Sequence, residues 1–224
     1  MHVARHRSGR LVAVKRVRNT LSSDRLLVER FADEGRLLRK VSHPNVVRGL
    51  DTGTDEDGLP YLVMDRAFGT SLDVLIAQEG PLALARIAGI ASQMLDGLAA
   101  IHDARIVHAD IKSNNVLIGD VDRVTIIDFG LARTVTTSTT LTGFIAGTPA
   151  YMAPEIISGE RATIAADVYS AAVVVYEMLT ATTPFSGQLA TILARQLSEP
   201  VEPPSVRAPG RGISPEVDRV LVQA

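Results

Sequence analysis

The sequence predicts an α+β protein: a sheet with one helix in roughly the first third, and a mainly helical body after Gly69. Two observations predict it. Apolar, β-branched runs separated by polar turns fill the first third around a single helical stretch. After Gly69 the apolar residues fall instead on long stripes of helical period.

The elements follow in order. Leu11-Val-Ala-Val-Lys-Arg-Val17 is β-branched and apolar around one lysine, which reads as a strand, with a turn at Ser8-Gly9 before it. From about Ser23 to Val41, Leu26, Leu27, Phe31, Leu37, Leu38 and Val41 keep helical spacing. Ser42-His43-Pro44-Asn45 should end that helix, because the residue before a proline leaves the helical region. Val46 to Gly53 and Tyr61 to Met64 read as strands joined by the polar turn Asp55-Glu56-Asp57-Gly58. Leu84, Ile87, Ala91, Met94, Leu95, Leu98 and Ile101 form the stripe of a long helix. Short strands are expected at Ile106-Val107, Val116 to Ile118 and Val124 to Ile127. Residues 134–143, rich in Thr and Ser, have no apolar period and read as a loop. Val168 to Leu179 is apolar on nearly every side and predicts a buried helix; Gln188 to Leu197 predicts a shorter one. Ser214-Pro215-Glu216 has the form of an N-cap followed by proline at the first helical position.

Composition narrows the function. The 224 residues carry a net charge of -2, so no basic field points to nucleic acid or an anionic membrane. With no cysteine, disulfide frameworks, thiol catalysis and cysteine-ligated metals are excluded, which fits a cytoplasmic setting. The longest apolar stretch, Ala171 to Leu179, contains Tyr176 and Glu177 and is too short to span a bilayer, so no membrane span is expected within the chain. No internal repeat is present, and oligomeric state is not readable.

Four segments carry chemistry. Val12-Ala13-Val14-Lys15 sets a lysine on an apolar strand, where its ammonium either reaches solvent from an edge or needs a buried partner. In His108-Ala109-Asp110-Ile111-Lys112-Ser113-Asn114-Asn115, an asparagine five residues after an aspartate lets one tight loop aim both at a single point. Asp128-Phe129-Gly130, eighteen residues after Asp110, sets a carboxylate at a strand end before a glycine that permits a sharp turn. Gly147-Thr148-Pro149-Ala150-Tyr151-Met152-Ala153-Pro154-Glu155 is a proline-broken loop. Together and in this order they resemble the protein kinase signature set, in the serine/threonine form of the bacterial members.

The resemblance implies a two-lobed protein kinase-like fold, with a small antiparallel-sheet lobe over residues 1–66 and a mainly helical lobe over 67–224, and a set of roles. Lys15 would hold nucleotide phosphates and pair with Glu34. Asp110 would accept or orient the substrate hydroxyl proton, Lys112 would touch the transferring phosphate, and Asn115 and Asp128 would bind Mg2+. Thr148 would hydrogen-bond near Asp110 and Lys112. Ala13 and Leu117 would sandwich adenine, Met64 would back its pocket, and the backbones of Asp65 and Ala67 would bond its edge. Asp167 would anchor the catalytic loop from below; Leu38, Phe129 and His108 would stack as an internal spine. ATP, Mg2+ and a protein substrate are the implied ligands. A non-catalytic kinase-like binding module and a small-molecule phosphotransferase remain as alternatives.

Three departures from the family bear on the expectations. The glycine-rich loop and first strand are missing, with Met1 near the position of the loop's valine, as if the reading frame started late. The last helices are missing too, so Glu155 is expected to lack its arginine partner, a loss of about 3–5 kcal/mol if the site is buried. Ala109 stands where most of the family has an arginine that reads a phosphate. Phosphorylation of Thr136, Thr139 or Thr140 is therefore not expected to be needed to order the segment.

Overall fold

The structure, a computed structural model, describes residues 1–6, 9–16, 25–129, 133–134 and 148–223. Ser8, Val17, Ser23, Gly130, Thr136, Thr139, Thr140 and Gly147, and the side chains of Leu26 and Leu27, lie outside the described residues.

The first sheet is antiparallel and four-stranded, built from β1 (His2–Arg5), β2 (Leu11–Arg16), β3 (Gly49–Thr54) and β4 (Pro60–Asp65) in the order β1-β2-β4-β3. Val12 and Ala13 are buried on β2, as are Leu62 and Met64 on β4. The register sets Ala13 opposite Met64 and Lys15 opposite Leu62, so the lysine rises beside an apolar wall. Helix α1 (Arg25–Leu38) packs against β3 and β4 and buries Glu34, Leu37 and Leu38. It ends earlier than its apolar period suggested. The amides of Lys40 and Val41 bond back to the Leu37 and Leu38 carbonyls in tight three-residue turns, which still bury Val41.

Two elements that the sequence reading did not separate come next, β5 (Thr70–Ser71) and α2 (Leu72–Glu79), the latter closed by Gly80 at φ 74°. Gly69, at φ 139°, lets this segment lie against the strand ending at Ile118, since a Cβ there would collide with the Ile118 carbonyl. Helix α3 (Leu84–Asp103) buries Ile87, Ile90, Met94, Leu98 and Ile101. Each such side chain contributes about 1.5–3 kcal/mol. By length and composition α3 is the one described helix that could cross a membrane, which the sequence reading had not flagged. In the structure that apolar face packs into the core and against α5.

The short strand β6 (Ile106–Val107), a 3-10 turn at Ser113–Asn115, β7 (Val116–Ile118) and β8 (Val124–Ile126) carry the polar loops. β5-β7-β8 form a second sheet, and β6 pairs with β9 (Arg133–Thr134), so Thr134 is a strand residue rather than loop. The two halves of the chain are stitched at residues 45–47. The Ile126 amide donates to the Asn45 carbonyl (2.7 Å) and the Val47 amide to the Ile126 carbonyl (2.9 Å). The Asn45 side chain donates to the Val124 carbonyl (2.8 Å). The expected strand from Val46 therefore begins only at Gly49, because Val46 and Val47 serve this junction.

The remaining helices are α4 (Pro154–Ile157), α5 (Ile164–Thr180), α6 (Leu189–Ser198), α7 (Pro204–Arg207) and α8 (Pro215–Gln223). α5 is the central buried helix, from Ala166 to Leu179. The Ser214 carbonyl accepts the Val217 and Asp218 amides at the start of α8, as the Ser-Pro-Glu pattern anticipated.

Candidate active site

Two clusters of polar side chains meet between the first sheet and the helical body. In the upper one, Lys15 Nζ lies 2.7 Å from Glu34 Oε1 and 2.7 Å from Asp128 Oδ1. β2 supplies the lysine, α1 the glutamate, and the end of the β8 strand the aspartate. Glu34 is only 2% exposed, and Lys15 is its ion-pair partner. Burial works to lower the Lys15 pKa, but the charges and hydrogen bonds of Glu34 and Asp128 outweigh it and hold the group above its ordinary value. Burial pushes the Glu34 carboxyl above the usual carboxylate range; Lys15 opposes this, and the neighbouring Asp128 charge reinforces it. One ammonium thus serves two carboxylates, an excess of negative charge that suits a site for cations.

A cleft of about 320 Å³ opens from this triad. Of the residues expected at a nucleotide, Ala13, Met64, Asp65, Ala67 and Leu117 line it, together with Lys15, Glu34 and Asp128. Sequence reasoning missed Val47, Ile127, Met1 and the β1 residues His2 and Val3 as further walls. Val47 lay in an apolar run read only as strand.

The lower cluster sits on the loop after β6. Lys112 Nζ donates to both Asp110 oxygens (2.9 and 3.1 Å). Asn115 Nδ2 donates to Asp110 Oδ2 (3.0 Å) and to its carbonyl (2.8 Å). These bonds use the amide nitrogen and leave the Asn115 side-chain oxygen as the group for a cation. The Ile127 amide bonds the Asn115 carbonyl at 2.9 Å, which ties this loop to the strand that delivers Asp128. Asp128 itself has φ 65°, so the sharp turn starts on the aspartate, where the sequence reading placed it on Gly130.

Asp167 anchors the loop from α5. It is 1% exposed and accepts the amides of His108 and Ala109, each at 2.8 Å, with His102 Nε2 at 2.8 Å from the same carboxylate. Ala109 is held there at φ 61°. His102, which the motif reading passed over, stands on the last turn of α3. His108 is fully buried, and its ring meets Phe129 edge-on at 4.9 Å; Leu38 belongs to the same core. Burial drives the His108 pKa below 6.5 despite three nearby carboxylates. Its Nδ1 accepts the Asp110 amide (3.3 Å), so the ring's proton sits on Nε2.

One expectation needs correction. No hydrogen bond joins Thr148 to Asp110 or Lys112 among the described residues; its carbonyl instead accepts the Tyr151 amide (3.1 Å), and the threonine caps the 3-10 turn at Pro149–Tyr151. The residue bonded beneath the loop is Tyr151, whose hydroxyl contacts Ser113 Oγ (2.9 Å) and donates to Glu177 (2.7 Å). Glu155 is half-buried and makes no ion pair with the described residues, so the burial on which the loss of about 3–5 kcal/mol was conditional is only partial.

A lysine on β2 paired with a glutamate on α1 and joined to an aspartate that follows β8, above an Asp-Lys-Asn loop, is the arrangement that the protein kinase resemblance implied, and a family comparison decides the matter. A model of the protein kinase domain matches residues 1–209. The chain belongs to the protein kinase domain family. Its relatives in this family include the serine/threonine-protein kinase pkn3 of Myxococcus xanthus, 34% identical over 96% of this chain and 41% of that protein. The probable serine/threonine-protein kinase CE0033 of Corynebacterium efficiens is 38% identical over 88% of the chain and 31% of that protein. The serine/threonine-protein kinase PknL of Mycobacterium tuberculosis is 36% identical over 97% and 54%. The chain therefore spans about a third to a half of the length of these kinases. The two-part architecture, sheet above and helices below, is the kinase fold.

Proposed function

We propose that the chain is an ATP- and Mg2+-dependent serine/threonine protein kinase domain, acting on protein hydroxyls in the cytoplasm, with a division into lobes at residues 66 and 67. The observation that carries this reading is the Lys15 ammonium bonded at once to Glu34 and Asp128 at the head of the cleft. A lysine bound in that way is oriented, and Glu34 fixes where it can reach.

The donor set fits Mg2+. Asp128 and Asn115 offer hard oxygen ligands, and no group of three His, Cys, Asp or Glu is assembled among the described residues. Mg2+ is commonly held by one or two protein oxygens with phosphates and water completing its shell. When bound, the metal would neutralise the charge that develops on the phosphate oxygens.

The chain's own residues then act as follows. Ala13, Met64 and Leu117 enclose a planar base, and the backbone at Asp65 and Ala67 presents polar groups to its edge. Lys15 gives positive charge to the nucleotide phosphates. Asp110, held by Lys112 and Asn115, orients the attacking hydroxyl and accepts its proton, while Lys112 is placed to follow the transferred group. Thr148 and Tyr151 form the wall beneath, on the side where a peptide would lie.

Ala109 supports one refinement. The position has no cationic side chain to receive a phosphothreonine, and its backbone is already held by Asp167. Phosphorylation of Thr136, Thr139 or Thr140 is therefore not required for the proposed transfer.

The test is transfer of label from γ-labelled ATP, with Mg2+, to the chain and to a general protein substrate. Label on serine and threonine that disappears in Asp128→Ala supports the reading. Transfer that persists in Asp128→Ala, or none from the native chain, refutes it.

A further inference from the structure

A second cavity, of about 460 Å³, shares the wall formed by Val47, Asp65, Arg66 and Ala67 with the cleft just described. Its floor includes the buried Val46 and Val47. Four arginines and two carboxylates line it. Arg10 is paired with Asp65 at 2.6 Å. Arg48, Arg66 and Arg123 are exposed and meet no carboxylate among the described residues. The cavity is thus cationic in a chain whose net charge is -2.

Its rim is apolar in two places. Phe68 is 64% exposed beneath the Arg66 guanidinium, 4.6 Å from ring centre to cation. Val121 is 99% exposed and sits at φ 51°, a conformation a β-branched residue rarely adopts. Asp122, the next residue, also has positive φ. The turn is clamped from α3: Arg86 bonds both oxygens of Asp122 and Gln93 bonds its carbonyl (2.9 Å). Strain of this kind persists only where the surroundings impose it. Here it sets an apolar side chain in water, where it adds nothing to the fold.

We propose that this cavity docks an acidic peptide segment of a partner protein, with carboxylates on Arg48 and Arg123 and an apolar side chain against Phe68 and Val121. Forked guanidinium donors match carboxylate oxygens, and the exposed apolar rim selects a peptide over a free small anion. The proposed contacts, Arg48, Arg123, Phe68 and Val121, have no role in the proposed phosphoryl transfer, although the cavity shares its wall at Asp65 and Ala67 with the nucleotide cleft.

The experiment is fluorescence anisotropy of a labelled peptide of alternating Glu and Leu, with a Lys–Leu peptide as control, on the whole chain. The acidic peptide should bind alone, and raising salt to about 0.5 M should weaken it. The double variant Arg48→Glu/Arg123→Glu should bind roughly tenfold more weakly, and Phe68→Ser should also weaken binding. All three positions are exposed, and circular dichroism confirms folding; Arg48→Ala is the milder second variant. Equal binding of the Lys–Leu peptide, or an unchanged affinity in the double variant, overturns the proposal. So does full displacement by inorganic phosphate with no effect of Phe68→Ser, which makes the cavity a small-anion site.

Discussion

Replacing Asp167 by alanine tests how the loop bearing Asp110 is held. The carboxylate is 1% exposed and receives three donors at 2.8 Å: the amides of His108 and Ala109 and the ring of His102. Water cannot take its place without opening the core. In Asp167→Ala, two backbone amides lose their acceptor, and each such loss costs about 1–3 kcal/mol. Ala109 also loses the bond that offsets its left-handed conformation, a strain of about 1–2 kcal/mol. The two amides alone therefore give an expected destabilisation of about 2–6 kcal/mol, read as a fall in the urea midpoint at constant slope. Asp167→Asn keeps one acceptor and should lose about half as much. A loss below about 1 kcal/mol in Asp167→Ala would refute the account, because it would mean that these amides find other partners at no penalty.

Other outcomes follow from the same geometry. Ala109→Gly should raise stability by up to about 1 kcal/mol, measured by the same denaturation, since glycine adopts φ 61° without strain. His108 is held below 6.5, so it stabilises the fold fully above pH 6.5, and that contribution is lost as pH falls toward its folded value. The acid limb of the melting temperature against pH should flatten in His108→Phe by as much as about 1.4 kcal/mol per pH unit; an unchanged limb contradicts the assignment. Glu34, raised above 4.5, acts in the opposite sense: its contribution is present at low pH and lost as pH rises, and comparison with the variant separates the two. Alanine at Thr136, Thr139 and Thr140 together should leave the transfer rate within about twofold, because Ala109 offers no cationic receptor; a large fall would show that a phosphothreonine is read elsewhere.

Much of this site was legible because its parts obey local rules. Lys15 stands out as one charge in a β-branched run, and Asp110 and Asn115 keep a spacing that only a tight loop satisfies. Asp167 was expected as an anchor by resemblance, and the structure shows it accepting the His108 and Ala109 amides. What escaped was set by tertiary contact. β1 alternates poorly, with His2, Val3 and Arg5 exposed, and becomes a strand by pairing with β2. α2 did carry a signal, Leu72, Leu75 and Ile76 followed by Gly80, but its two turns were too short to stand out from the hinge. Val46 and Val47 read as strand because apolar runs cannot reveal that they join two halves of a fold. Thr148 was placed by motif, yet its hydroxyl direction depends on backbone torsions that no spacing encodes.

The central claim is that Lys15, Glu34 and Asp128 converge to receive a nucleotide's phosphates with a metal. Calorimetric titration of the chain with ATP, in the presence and absence of Mg2+, tests it most directly. The account predicts that Mg2+ tightens binding to the native chain, that Asp128→Ala loses this dependence, and that Lys15→Met weakens binding under both conditions. Equal affinity with and without the metal in the native chain, or binding indifferent to Lys15, would contradict it.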